Sequence, residues 1–147
     1  MIVELADLEA MAAFAERIAA LLEPGDVVAL SGGLGAGKTT LARAILEALG
    51  HDGEVPSPTF TIVETYEPPA VRLPVVHADF YRLERPEEAD ELGLEDYRHG
   101  AALLAEWPER VDGLTREPGC LAIALEVAGS GRRAIVQPGA DWLKRPL

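Results

Sequence analysis

Ser31–Leu41, SGGLGAGKTTL, decides the reading of this chain. A β-branched run, Asp26–Leu30 (DVVAL), precedes it, and Leu41, Ala44, Ile45, Ala48 and Leu49 follow at helical spacing, so the local order is strand, glycine loop, helix. Gly32, Gly37, Lys38 and Thr39 fill the fixed positions of G-x-x-x-x-G-K-[ST], the phosphate-binding P-loop. Main-chain N–H groups can wrap a phosphate only where side chains do not block the approach and φ is free to turn positive, which accounts for the glycines at 32, 33, 35 and 37. The helix beginning near Lys38 adds its unpaired N–H groups and positive dipole end. The candidate cradle is therefore Gly33, Gly35, Ala36, Gly37, Lys38, Thr39 and Thr40, with the Lys38 ammonium for the β- and γ-phosphates and the Thr39 hydroxyl for Mg²⁺. Only two of the 13 basic residues are lysines, Lys38 and Lys144, so a lysine at this position fits a site that needs a point charge rather than a fork.

The plain alternative is a glycine-rich turn ahead of an ordinary helix; agreement at every fixed position, with strand and helix on the correct sides, favours a nucleotide site. The dinucleotide fingerprint G-x-G-x-x-G fails, because counting from Gly33 or Gly35 puts Lys38 or Thr40 where the third glycine belongs.

Phosphoryl chemistry needs a strand-end carboxylate beside the loop. Asp79, after VVHA, and Glu106, after ALLA, both stand at the carboxyl end of an apolar strand, where open α/β sheets place their ligand crevice. Strand alternation puts His77 on the face of Asp79, as a hydrogen-bonding or packed neighbour rather than a base. Trp107 either covers the site or fills core, and composition alone favours core. The guanine-reading motif [NT]-K-x-D is absent, and Asp90–Gly93 spells D-x-x-G behind an acidic segment instead of an apolar strand, so ATP is the expected nucleotide.

The chain has 147 residues, 48% hydrophobic and 26% charged, which predicts one soluble domain, residues 1–147. Cys120 is the single cysteine and cannot form an internal disulfide, which suits a small buried residue in a reducing compartment. Glu9, Glu16, Arg17 and Glu23 interrupt the first apolar helix, which argues against a signal peptide or membrane span and makes the cytoplasm the expected location. A net charge of −12 disfavours direct nucleic-acid binding, with a local exception at Arg132, Arg133, Lys144 and Arg145.

Residues 8–22 predict a helix capped by Asp7 and ended by Pro24-Gly25, and Gly50 stops the P-loop helix. Ser57–Tyr66 reads as extended, as does Leu73–Asp79, the two forming an antiparallel pair. Glu84–Asp96 is a dense acidic run, read as a solvated face; Ala101–Trp107 is apolar, and Pro108 starts a helical turn. Leu121–Val127 and Arg132–Val136 form a hairpin about Gly129-Ser130-Gly131. The fold class is α/β: a P-loop-type three-layer sandwich with a mixed, mainly parallel sheet and added antiparallel strands.

GGLGAGKTTLAR at 32–43, SPTFTIVETYE at 57–67, HADFYRL at 77–83, ELGLEDY at 91–97 and AEWPER at 105–110 together resemble the TsaE (YjeE) family, small bacterial ATPases of threonylcarbamoyladenosine formation in tRNA. The resemblance implies that Thr39 and Glu106 ligate Mg²⁺ and that Asp79 helps position water or metal. It further implies that SPTF, with Thr59 and Thr61, forms a switch-like segment near the γ-phosphate, and that Trp107 belongs to the active site. It places the base of ATP or ADP near Asp7, Leu8 and the Gly131-Arg132 pair, with Arg133 a competing arginine. It implies TsaB and TsaD as partners, tRNA contact only through them, and slow intrinsic hydrolysis; a monomer is expected of the chain alone. The rival readings are a small-molecule kinase of the P-loop class, which would transfer phosphate to a metabolite, and a nucleotide-gated binding module, in which Asp79 and Glu106 could be lost without effect on turnover.

Overall fold

A computed structural model describes residues 1–57 and 63–147. The expected Thr59 and Thr61 positions lie outside the described residues, as does much of the extended segment assigned to 57–66.

The strand ahead of the P-loop, β2 (Val27–Ser31), is buried on both faces, which an unbroken apolar run of this kind requires. It is the centre of a seven-stranded sheet whose order is β1 (Ile2–Leu5), β7 (Gly131–Pro138), β6 (Cys120–Ala128), β2, β5 (Ala102–Glu106), β4 (Val75–Asp79) and β3 (Val63–Tyr66). The pairs β6·β2, β2·β5 and β5·β4 are parallel, and β1·β7, β7·β6 and β4·β3 are antiparallel. The sheet is thus mixed, a parallel centre with antiparallel strands on both sides.

Alternation along the central strands divides the core. Val28, Leu30, Ala102 and Leu104 face the helices α1 (Leu8–Leu21) and α2 (Lys38–Ala48), whereas Val27, Ala29, Leu103 and Ala105 face the short helices α3 (Glu88–Glu91) and α4 (Leu94–Arg98). These are the three layers of an α/β fold. The Asp7 carboxylate accepts the Ala10 N–H at 2.8 Å and so caps α1 as expected. At the other end of α1, the Arg72 guanidinium donates to the Ala19 and Leu22 carbonyls at 2.6 and 2.9 Å, satisfying acceptors the helix leaves open.

β3 and β4 pair antiparallel as the sequence predicts, with Val63 opposite Ala78. β6 and β7 form the expected hairpin, closed by Gly129-Ser130 with Ala128 opposite Gly131 and Gly129 at φ 61°. The edge strand β1 is an addition to the sequence reading. It is four residues long and buries only Leu5 fully, and its partner β7 comes from the other end of the chain, so no local periodicity marks it.

Parallel pairing brings the carboxyl ends of β2, β5 and β4 to one edge of the sheet, with Asp79 opposite Glu106 and Leu30 opposite Glu106. The P-loop opens there. Among the described residues, no helix is long and apolar enough to cross a membrane.

Candidate functional site

The P-loop leaves β2 and turns through glycines in the left-handed region: Gly32 at φ 136°, Gly35 at 78° and Gly37 at 107°. Gly32 is doubly constrained, because a Cβ there would run into the Leu125 carbonyl of β6. Lys38 opens α2, and its side chain folds back so that Nζ donates to the carbonyls of Gly32 and Gly33 at 2.7 and 2.8 Å. The same ammonium lies 4.5 Å from the centroid of the Trp107 ring. Burial pushes the Lys38 pKa down, against the opposing pull of Glu106 and then Asp79.

Glu106, buried at the end of β5, is held at both oxygens. Oε1 accepts from the Thr39 hydroxyl at 2.7 Å, and Oε2 meets His77 Nε2 at 2.7 Å. The sequence expectation put His77 beside Asp79, whereas the hydrogen bond goes to the carboxylate on the neighbouring strand. The register explains it: β4 and β5 run parallel with His77 opposite Leu104, so the ring reaches diagonally to the residue two further along the same face. Asp79 accepts the Tyr81 N–H at 2.9 Å through Oδ1, which turns the chain out of β4.

Trp107 is the one non-glycine residue at positive φ among the described residues, at φ 57° and ψ 52°. Pro108 disfavours the right-handed α region for the residue before it, and the chain then enters a 3₁₀ turn, Pro108–Arg110. The Trp107 N–H is tied to the Leu30 carbonyl at 3.2 Å, and its ring packs on Tyr81 with centroids 4.8 Å apart. Half-buried Trp107 does both things weighed for it: it packs against the smaller core cluster and borders a pocket of about 250 Å³ with Lys38, Thr39, Asp79 and Glu106.

A second cleft of about 450 Å³ adjoins the loop and is lined by Leu5, Asp7, Leu8, Met11, Gly131 and Arg132, with Gly37 and Thr40 on its loop side. Leu5 and Met11 supply apolar walls that the sequence reading did not identify, since they come together only when β1 and α1 fold against the hairpin. The two candidate arginines separate clearly. Arg132 reaches the P-loop, donating to the Gly35 carbonyl at 3.2 Å, whereas Arg133 turns away to Glu4 and Glu126 at 2.8 and 3.4 Å. Arg145 is also engaged, with Asp26 at 2.6 Å and Glu23 at 2.7 Å, so the basic cluster inferred for the C-terminal region is not a free cationic surface.

These elements suit a nucleoside triphosphate with a magnesium ion. The glycine turns clear the backbone for an anion, a lysine ammonium rests on carbonyl oxygens beside it, and a hydroxyl and a carboxylate meet at a hydrogen-bonded pair of hard oxygen donors. Ala36 is buried in the loop and Gly33 has open space around it.

The family profile described as threonylcarbamoyl adenosine biosynthesis protein TsaE matches residues 5–135. The chain is 42% identical over 125 residues to the tRNA threonylcarbamoyladenosine biosynthesis protein TsaE of Bacillus subtilis, spanning 84% of this chain and 75% of the relative. The protein so named in Haemophilus influenzae is 41% identical over 113 residues, covering 73% and 70%, and that of Streptomyces coelicolor is 44% identical over 103 residues, covering 69% and 70%. The crystal structure of Bacillus subtilis YdiB superposes with a TM-score of 0.72 at 33% identity, over 92% of this chain and 83% of that one.

Proposed function

The chain belongs to the TsaE family, whose role is in the biosynthesis of threonylcarbamoyladenosine in tRNA, and on that premise we propose that it binds Mg-ATP at the P-loop edge and hydrolyses it slowly as the accessory ATPase of the modification system. The observation that carries the reading is the convergence of Lys38, Thr39, Asp79, Glu106 and Trp107 on one pocket that opens beside a larger, partly apolar cleft.

In this reading the Gly33–Gly37 backbone and Lys38 hold the phosphates, and Lys38 exchanges its loop carbonyls for phosphate oxygens. Thr39 and Glu106 would hold the magnesium ion, which when bound supplies neutralisation of the charge that develops on the phosphates. Asp79, fixed by the Tyr81 N–H, orients the attacking water from the strand next to Glu106. Trp107 covers the phosphates, and Asp7, Leu8 and Arg132 border the base. A low basal rate is supported by the polar contacts that Lys38 makes with the Gly32 and Gly33 carbonyls and Thr39 with Glu106, which phosphate and metal must displace before these groups engage. TsaB- and TsaD-type partners would complete the site and carry the tRNA contact, which agrees with a chain of net charge −12.

Steady-state ATP turnover with Mg²⁺, alone and with TsaB and TsaD, tests this reading, with Lys38→Ala as control. A weak rate that rises with the partners and falls roughly 100- to 1,000-fold in the variant is expected. Indifference to the partners would defeat the accessory role, and phosphate transfer to a metabolite would establish a kinase instead.

A further inference from the structure

Glu106 has one oxygen on Thr39 and the other on a histidine that no part of the proposed chemistry uses. His77 is completely buried in the middle of β4, and its ring touches Glu106 at 2.7 Å. A carboxylate only accepts, so the ring must present Nε2–H to Oε2. The other nitrogen, Nδ1, is buried and has no hydrogen-bond partner among the described residues, so a proton there would go unmatched; the arrangement calls for the tautomer protonated on Nε2.

We propose that His77 is a positioning residue: its Nε2–H holds Oε2 of Glu106 so that Oε1 is turned to Thr39, keeping both oxygen donors pre-aimed at the magnesium position. The inference rests on the Mg-ATP reading above. A carboxylate side chain without this tether is free to rotate about its terminal bond, and ordering it at the moment of metal binding would cost side-chain entropy. The histidine is built into a strand buried on both faces, so the tether is as rigid as the sheet. The bond also satisfies one nitrogen of a polar ring set among Val75, Val76 and Ala78, where an uncommitted polar side chain would be costly.

Two measurements test this. The first is ATP binding by calorimetry in EDTA and across a series of free Mg²⁺ concentrations, for wild type, His77→Leu and His77→Gln. Glutamine can place its Nε2 donor where the imidazole Nε2 stands, and leucine cannot. For His77→Leu, the Mg²⁺ concentration that gives half of the affinity gain should rise roughly 10- to 100-fold, while affinity in EDTA stays within about twofold; His77→Gln should recover most of the loss. A wild-type Mg²⁺ response in His77→Leu, an equal loss with and without Mg²⁺, or a folded His77→Gln no better than leucine would overturn the proposal. The second is the ¹⁵N spectrum of the imidazoles in the metal-free wild type, which needs no variant to fold: protonation on Nε2 is expected for His77, and an Nδ1–H tautomer overturns the tether. If wild type itself shows no Mg²⁺-dependent ATP binding, the nucleotide reading fails first, and it is distinguished from failure of the tether by the silent wild type.

Discussion

The chain has two tryptophans, and each carries a cation on its ring: Arg145 lies 4.4 Å from the centroid of Trp142, and Lys38 lies 4.5 Å from that of Trp107. They stand at opposite ends of the same parallel strands. Trp142 docks ahead of β2 and β6, where its Nε1–H donates to the Gly119 carbonyl at 2.8 Å and Arg145 pairs with the buried Asp26 at 2.6 Å. Trp107 follows β5, held in the left-handed region, and its lysine is bonded to carbonyls. At the first end the charges are matched by opposite charges, and the ring is 2% exposed. At the second, the carboxylate and the ammonium are each held by other polar groups, and His77 Nδ1 lacks a partner among the described residues. Similar parts therefore stand in different settings: one fastens the C-terminal segment to the sheet, and the other gathers polar groups at the P-loop edge.

Trp142→Ala should break this contrast most severely. Removing a ring so deeply buried in the larger core cluster should cost about 3–5 kcal/mol of unfolding free energy, read by urea denaturation. Lys38→Ala should act at the other end alone. ATP turnover should fall roughly 100- to 1,000-fold, with the urea midpoint close to wild type. A Lys38→Ala protein that loses stability as Trp142→Ala does would erase the distinction.

Arg145→Ala should come next. It takes the cation from Asp26, 3% exposed, which keeps the Glu23 N–H at 2.8 Å, and Arg145 is itself partly open to water, so a loss of about 2–3 kcal/mol is expected rather than the larger cost of a fully buried pair. Cys120 starts β6 at the same end and reports on it. Burial, with Glu117 adding to it, pushes its thiol up to about 11, so at pH 8 the native thiol stays protonated and labels slowly. If labelling requires opening, Arg145→Ala should speed it roughly 30- to 150-fold, the kinetic equivalent of that stability loss. The sign of the pH dependence also follows. The unfolded thiol ionises near 9.0 and the folded one near 11, so the stability Cys120 contributes is whole below pH 9 and falls as the pH rises towards 11.

The difference between the ends also explains what could be read from the sequence. The P-loop, the helix caps and the strand-end carboxylates are local patterns, and Asp7, Lys38, Thr39, Asp79 and Glu106 stand where spacing placed them. The His77–Glu106 contact, the choice of Arg132 over Arg133 and the Asp26–Arg145 clamp all depend on which strands lie side by side. That information is carried by pairing across 29 to 119 residues, and no local period encodes it. Trp107 shows the limit from the other direction: half-buried aromatic residues in a site and in a core look alike until the backbone is seen.

Trp107→Gly should cost far less stability than Trp142→Ala while lowering turnover, and therefore sharpens the comparison most. Glycine at φ 57° removes the left-handed penalty, worth about 1–2 kcal/mol. Loss of the ring forfeits the Lys38 contact, about 0.5–1 kcal/mol, and the Tyr81 contact, about 0.5–1.5 kcal/mol. The ring also gives up its packing against the smaller core cluster, so the relief offsets only part of the loss: unfolding free energy should fall by no more than about 2 kcal/mol, while ATP turnover falls by about tenfold or more if the ring covers the phosphates. A loss approaching that of Trp142→Ala would mean that Trp107 is core after all. A stable variant with unchanged turnover would mean that the strained backbone serves neither packing nor chemistry. Only retained stability with lost turnover fits a residue whose backbone cost is sustained by the rest of the fold for the sake of the site.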